Sequence, residues 1–333
     1  MVKTSYKQSI LRMIYDSIFI ILNFQKNISR NQRFATKNKI QIPMNKKSFS
    51  KIIAGTMTWG IWGKNLDKSQ MIDLMNTCLE NGITSFDHAD IYGGYSTEAA
   101  FGNAFGESQI KREKMQLISK CGIQMLSENR NSRIKHYDCS KSHIIWSAEE
   151  SLKNLKTDYL DLLLLHRPSP IMQPDEVAEA IEKLKSEGKI LDFGVSNFTP
   201  SQTDLIQTKT KINYNQIEFS ITHFEAMLNG SLDHMQTNGI SPMCWSPLGT
   251  VFKNKDEKSM RIQQIAEQLS SKYNVGLDIL LLAWILKHPA GILPVCGTAD
   301  KNRIANLMKA TTIEIELQDW FALWTESTGN PVP

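Results

Sequence analysis

From Ile52 onward the chain alternates short apolar runs with amphipathic stretches, and it does so eight times. The runs fall at 52–56, 84–88, 116–120, 160–166, 191–196, 214–218, 242–246 and 292–295. Several are almost continuously apolar, LDLLLLH above all, as expected of a parallel strand covered on both faces. The intervals carry helical spacing: Ile144, Ala148, Leu152 and Leu155 share one face, as do Val177, Ile181 and Leu184, and Ile262, Ile265 and Leu269. Their ends are marked too. Ser140 stands as N-cap of a helix over 141–156, Thr199 followed by Pro200 opens another, and Gly188 stops one over 175–187. A strand, loop and helix repeated eight times predicts a single-domain α/β fold, a (β/α)8 barrel of the TIM type. Two segments exceed the eight pairs. Residues 277–288 are apolar enough for an extra buried helix before the last strand, and 315–327 read as a terminal amphipathic helix. Residues 122–140 lack periodicity and read as a loop after the third strand, on the face where such barrels build active sites.

At 333 residues, 41% of them hydrophobic, the chain can bury one large core. Its formal charge of +4 misleads, because residues 1–43 hold eight basic residues, from Lys3 to Lys39, against the single acid Asp16. That local excess of +7 leaves −3 for residues 44–333, and a mildly acidic body gives a nucleic-acid partner no footing. The apolar stretch at 14–24 is interrupted by Asp16 and Ser17 and falls short of the ~20 residues of a membrane-spanning helix. Residues 1–43 read as a basic extension, disordered or a mis-assigned start ahead of Met44. A transit or anchoring segment and a secretory signal are the other readings of the same residues. Residues 44–333 are then the barrel. Five scattered cysteines without a Cys-x-x-Cys pair suggest neither disulfides nor zinc, and fit a reducing, cytoplasmic setting. No residue pattern fixes an oligomeric state.

Four polar side chains fall at or just beyond the C-terminal ends of the second, third and fourth strands. They are Asp87 in TSFDHAD, Tyr92 in DIYGGY, Lys120 in LISKC and His166 in LLLLHRP. Singly, each has an ordinary explanation as a turn residue or a strand-end histidine. Together, on the active face of a barrel, they make an acid site for a carbonyl oxygen. Tyr92 is the proton donor and Lys120 is expected to lower its pKa from about 10 toward working pH. Asp87 holds Lys120 by a charge-assisted hydrogen bond, and His166 orients the carbonyl. The run Asp87-His88-Ala89-Asp90 has the flavour of a metal site, but later strands add only His166, so no metal is expected. His88, opposite to Asp87 in an alternating strand, is expected to pack. Met57, Trp59 and Trp62 either wall a pocket or pack at the rim, and Trp320, Phe321 and Trp324 read as a core-facing stripe. No G-x-G-x-x-G follows the first strand, so a Rossmann mode of dinucleotide binding is not indicated.

In order and wording these segments resemble the aldo-keto reductase family, from residue 52 to about 308. The resemblance is carried by Asp87-His-Ala-Asp-Ile-Tyr92-Gly93, by LISKCG and LDLLLLHRP, and by GKILDFGVSNF. WSPLG at the seventh strand and DWF in the last helix are similar to the bacterial YdhF-like oxidoreductase branch. The resemblance implies reduction of an aldehyde or ketone by hydride transfer from nicotinamide C4, cofactor binding first, with Asp87, Tyr92, Lys120 and His166 catalytic. It implies that Ser196, Asn197 and Gln216 bond the nicotinamide carboxamide and that Trp245 stacks on the ring. Ser246, Leu248 and Gly249 would run along the pyrophosphate, and Gly297, Thr298 and Arg303 would lie at the adenosine 2′-phosphate. Gly297 stands where many members carry a basic residue, and Asn306 and Leu307 where an acid and an Asn commonly bind adenine. NADPH is thus the implied cofactor, with NADH left open and Lys301 as a substitute cation. The implied partner is a small-molecule carbonyl substrate. The family also implies an alternative, an NADPH-binding sensor of the same fold with little turnover, like the potassium-channel β-subunits.

Overall fold

The structure is a computed structural model that describes residues 48–331 apart from 129. The expectations for residues 1–43 lie outside the described residues. In chain order the strands are β1 (Ile53–Gly55), β2 (Ser85–Asp87), β3 (Gln116–Cys121), β4 (Ile123–Gln124), β5 (His136–Tyr137), β6 (Leu162–Leu165), β7 (Phe193–Ser196), β8 (Tyr214–Glu218), β9 (Ser241–Trp245) and β10 (Leu293–Cys296). The helices are α1 (Lys68–Glu80), α2 (Thr97–Glu107), α3 (Lys141–Leu155), α4 (Pro174–Ser186), α5 (Pro200–Gln207), α6 (Ser231–Thr237), α7 (Glu257–Tyr273), α8 (Leu277–Leu286), α9 (Lys301–Leu307) and α10 (Leu317–Thr328). All strands but β4 and β5 pair in parallel and close into an eight-stranded barrel, in the order β1, β2, β3, β6, β7, β8, β9, β10 and back to β1.

Alternation along the strands decides which side chains enter the barrel. Ile53, Ile118, Leu162, Leu164, Met243 and Val295 pack together in the interior. Phe86, Leu117, Leu163, Leu165, Phe193 and Val195, one residue out of phase, join the larger core under the helices. Position 194 falls in the inward phase and is glycine because an added Cβ would lie 2.5 Å from the Tyr214 carbonyl oxygen and 2.7 Å from Leu164. Continuing the inward phase to the C-terminal ends leads to Asp87, Lys120, His166, Ser196, Gln216 and Trp245. Phe49 meets Tyr214 edge to face at 5.2 Å and adds to the interior cluster.

The expected helix signals operate as read. Ser140 Oγ accepts from the His143 amide, Thr199 and Gln202 form a reciprocal capping box, and Gly188 ends its helix at φ +71°. One segment differs from expectation, and the extra helix before the last strand is found as expected. Residues 122–140 contain a small antiparallel pair, β4 with β5, whose two-residue strands are too short to leave a period-two pattern. Of the helices between β9 and β10, the apolar α8 lies against the barrel, every residue from Ile279 to Ile285 being buried. The outer helix is α7, whose single apolar stripe of Ile262, Ala266 and Leu269 needs cover on one side only, and which packs on α10. Trp320 of α10 stacks on Trp284 of α8 at 4.9 Å, and each indole N–H donates to the other's backbone carbonyl. Among the described residues no single helix is long and apolar enough to cross a membrane.

Candidate active site

Lys120 organises the mouth of the barrel. It is fully buried, and its ammonium donates to Asp87 Oδ2 at 2.6 Å, to the His88 carbonyl at 2.8 Å and to Tyr92 Oη at 3.0 Å. A lysine has three N–H donors, and all three are used. The Tyr92 oxygen therefore receives a hydrogen bond from Lys120 while its own proton stays free to point elsewhere. Asp87 is completed from the far side of the barrel, where Gln216 Nε2 donates to Oδ1 at 2.9 Å. The His166 ring meets Tyr92 edge to face at 6.1 Å. Its Nδ1 is enclosed without a partner among the described residues, which leaves Nε2 as the nitrogen for a ligand.

Burial and charge then set the protonation states. Burial pushes the Tyr92 phenol up from its ordinary value, while the Lys120 charge and hydrogen bond pull it down without overcoming that. The expectation of a net lowering is thereby corrected: the lysine acts with the expected sign, and desolvation of the phenolate outweighs it. Burial alone would depress Lys120, but the Asp87 carboxylate and the hydrogen bonds hold it above the ordinary lysine value. Burial, reinforced by Lys120, Arg167 and Lys135, holds His166 well below the usual imidazole range. At neutral pH the mouth contains a phenol, an ammonium paired to a carboxylate, and a neutral imidazole.

Next to this group Ser196 Oγ donates to the Gln216 carbonyl, Asn197 Nδ2 to Ser196 Oγ, and Trp245 Nε1 to Asn197 Oδ1. Asn197 and Ser246 adopt left-handed backbone at φ +61° and +55°, a conformation that non-glycine residues hold mainly where structure over-determines it. Gly249 donates its amide to the Ser246 carbonyl, and Leu248 is half-buried against the core. Gly297 and Thr298 are tied to the loop after β1, their carbonyls accepting from Thr58 Oγ1 and Trp59 Nε1. Arg303, with Asn302, Asn306 and Lys309, lines a cavity of about 810 Å³ that also touches Asp278 and Glu267. No hydrogen bond or ion pair among the described residues joins this outer group to the four at the mouth. The combination fits a dinucleotide: side-chain amides beside the mouth, open space where a Cβ on Gly297 would stand, and cations in a roomy cavity beyond it. Lys301 is engaged otherwise, 2.7 Å from Asp73 of α1.

The other sequence readings divide. His88 is fully buried, bonded to Thr56 Oγ1 and set edge-on to Phe101. Trp59 is buried against Phe86 and Phe101, whereas Trp62 and Met57 are exposed, Trp62 lying 6.3 Å from the Tyr92 ring. No set of three His, Cys, Asp or Glu side chains among the described residues is placed to hold a metal. A buried polar layer behind the site escaped sequence reasoning. Asp90 accepts from Ser147 Oγ and Glu98 from Ser119 Oγ. Burial, helped by the Glu98 charge, pushes Asp90 up to about 8, and burial pushes Glu98 up to about 7. The available signal was Ser147 and Ser151, one turn apart within the apolar face of α3.

A parallel barrel that gathers a phenol, a paired lysine, an aspartate and a neutral histidine at its C-terminal mouth is built as an oxidoreductase for carbonyl groups. Residues 51–324 match the model of the aldo/keto reductase family, and the chain belongs to that family. It is 42% identical over 291 residues to the uncharacterized oxidoreductase YcsN of Bacillus subtilis, covering 86% of this chain and 96% of that one. Oxidoreductase YdhF of Escherichia coli is 38% identical over 298 residues, covering 89% and 99%. The 6-dehydroglucose reductase of Agrobacterium fabrum is 36% identical over 308 residues, covering 90% and 99%. Among solved structures, the glycerol dehydrogenase of Gluconobacter oxydans shares the fold with a TM-score of 0.77 at 20% identity, covering 88% of this chain and 97% of that one. An aldo/keto reductase from Klebsiella pneumoniae in complex with NADP and acetate shares it with a TM-score of 0.69 at 24% identity, covering 85% and 93%.

Proposed function

We propose that this protein reduces an aldehyde or ketone to the alcohol with NADPH, Tyr92 being the proton donor. The observation that carries the reading is the saturation of Lys120: its three protons go to Asp87, His88 and Tyr92, so the phenol proton remains available to a ligand. When bound, a reduced nicotinamide would supply the hydride that the carbonyl carbon takes up. Tyr92 Oη gives its proton to the carbonyl oxygen, so the C=O double bond becomes a C–H and an O–H. The phenolate that remains is held by the Lys120 ammonium at 3.0 Å until solvent returns the proton. The raised phenol pKa suits this direction, because a donor must be protonated when the carbonyl arrives. An enclosed nitrogen without a partner costs less as an acceptor than as an N–H, so His166 carries its proton on Nε2 and donates it to the same oxygen. Ser196, Asn197 and Gln216 hold the carboxamide, Trp245 supports the ring, and Ser246, Leu248 and Gly249 follow the pyrophosphate. Gly297, Thr298 and Arg303 receive the adenosine end; the NADP-bound neighbour of the same fold supports this choice of cofactor. Five free, buried cysteines support a cytoplasmic setting.

The test is Tyr92→Phe. NADPH fluorescence titration is expected to give nearly the same affinity as the parent, while aldehyde-dependent loss of NADPH absorbance falls at least ~100-fold. Equal losses of binding and turnover reject the role of Tyr92. Tight NADPH binding by the parent with no turnover of any carbonyl favours the sensor.

A further inference from the structure

Arg167 follows His166 directly at the C-terminal end of β6, and nothing in the reaction above uses it. Its side chain is half-buried, and its guanidinium lies 5.6 Å from the centre of the Trp245 ring, on the same mouth as Asn197 and His166. A guanidinium removed from water normally finds a carboxylate, and two of the other half-buried arginines among the described residues do so, while a third is held between two rings. Arg112 pairs with Asp161 at 2.7 Å, Arg261 pairs with Glu257 at 2.9 Å, and Arg130 lies between the Tyr95 and Trp146 rings. Arg167 has neither an ion pair nor a hydrogen bond among the described residues, and its guanidinium lies over the face of Trp245. Its fork of N–H groups is therefore unspent beside Trp245 and next to His166.

The surroundings agree in sign. The charges that depress His166 come from Lys120, Arg167 and Lys135, all positive. Lys120 is neutralised by Asp87, whereas Arg167 and Lys135 pair with no acid among the described residues. The mouth is thus positive in a body whose residues 44–333 carry a net −3, so the cations there are a local arrangement and not a reflection of overall charge. Trp62 is exposed and lies 6.3 Å from the Tyr92 ring, which gives the carbon frame of a ligand an apolar surface at the mouth.

We propose that Arg167 is a specificity-determining residue that receives an oxyanion on the substrate, so that the protein prefers carbonyl compounds bearing a carboxylate or phosphate. The inference rests on the reductase reading and narrows its substrate class. A planar carboxylate meets the guanidinium with two parallel hydrogen bonds, and a phosphate oxygen pair does the same.

The experiment compares kcat/KM within matched pairs, using the full chain and NADPH. 4-Carboxybenzaldehyde is set against methyl 4-formylbenzoate, and glyceraldehyde 3-phosphate against glyceraldehyde. The expected result is a preference of at least about 10-fold for the anionic member of one pair, and which pair shows it separates carboxylate from phosphate. The preference should shrink as ionic strength rises, a measurement on the parent protein that needs no variant. Arg167→Met should collapse the ratio toward one, and Arg167→Lys should restore part of it, with NADPH titration and thermal melting reporting that both variants fold. Neutral members reduced as well as anionic ones, or a preference that survives in Arg167→Met, overturns the proposal alone. No reduction of any member while NADPH still binds overturns the reductase reading and takes the proposal with it.

Discussion

Asp90 sits two residues before Tyr92 with one carboxylate oxygen bonded by Ser147 and the other without a partner among the described residues. Its carboxyl group, at about 8, and that of Glu98, at about 7, hold protons in the folded state that the unfolded chain releases near pH 4. Folding then binds more protons than unfolding, so this pair makes stability fall as pH rises from about 4 to 8. His88, held at about 3 by burial and Lys120, tilts the other way, adding stability as pH rises to about 6.5. Between pH 6.5 and 8 the carboxylates act alone, and the melting temperature is expected to drop there by a few degrees. Asp90→Asn should flatten that slope and raise stability at pH 8, as melting scans at the two pH values would register. An unaltered slope would mean that Asp90 is ionised in the folded protein. Chemistry-bearing residues were legible because strand ends expose them in order. The carboxyl layer was not, because Asp90 looks like any loop aspartate until α3 brings Ser147 against it.

The loop that follows β9 shows what a single missing Cβ can secure. Gly249 has φ +52°, and an added Cβ would fall 1.9 Å from Thr222 Oγ1 and 2.6 Å from Ser220 Oγ. Both of those oxygens belong to the segment after β8, which they help to shape through hydrogen bonds to Thr250 and to the backbone of Thr222 and His223. Gly249→Ala is therefore expected to cost about 1–3 kcal/mol and to weaken NADPH affinity more than it lowers the turnover of bound complex. Chemical denaturation together with fluorescence titration would separate the two effects. Strand and helix boundaries were read to within one or two residues because Ser140, Thr199 and Gly188 carry local signals. The β4 and β5 pair has no comparable signal, and its place is fixed by contact across the loop. The extra buried helix before the last strand was legible because its apolar run is continuous, although that run does not say which layer covers it.

Across the molecule, the same β/α alternation that closes the barrel also distributes five thiols through it. Cys78 lies on α1, Cys121 on β3, Cys139 ahead of α3, Cys244 on β9 and Cys296 on β10. All are buried, and burial pushes each thiol up, to about 12 for Cys78 and Cys296 and about 11 for Cys139. A thiol that is both covered and protonated reacts only when the wall around it opens. The chain thus carries a built-in set of opening gauges, one near the start of the barrel, two around its third strand and two near its closure. In native buffer a thiol-reactive dye is expected to label none of them on the timescale on which it labels the urea-unfolded chain completely. If the barrel opens as one body, mass spectrometry should find all five labelled at one common slow rate. Early labelling of Cys244 and Cys296 alone would place the first breach at the seam where β10 meets β1.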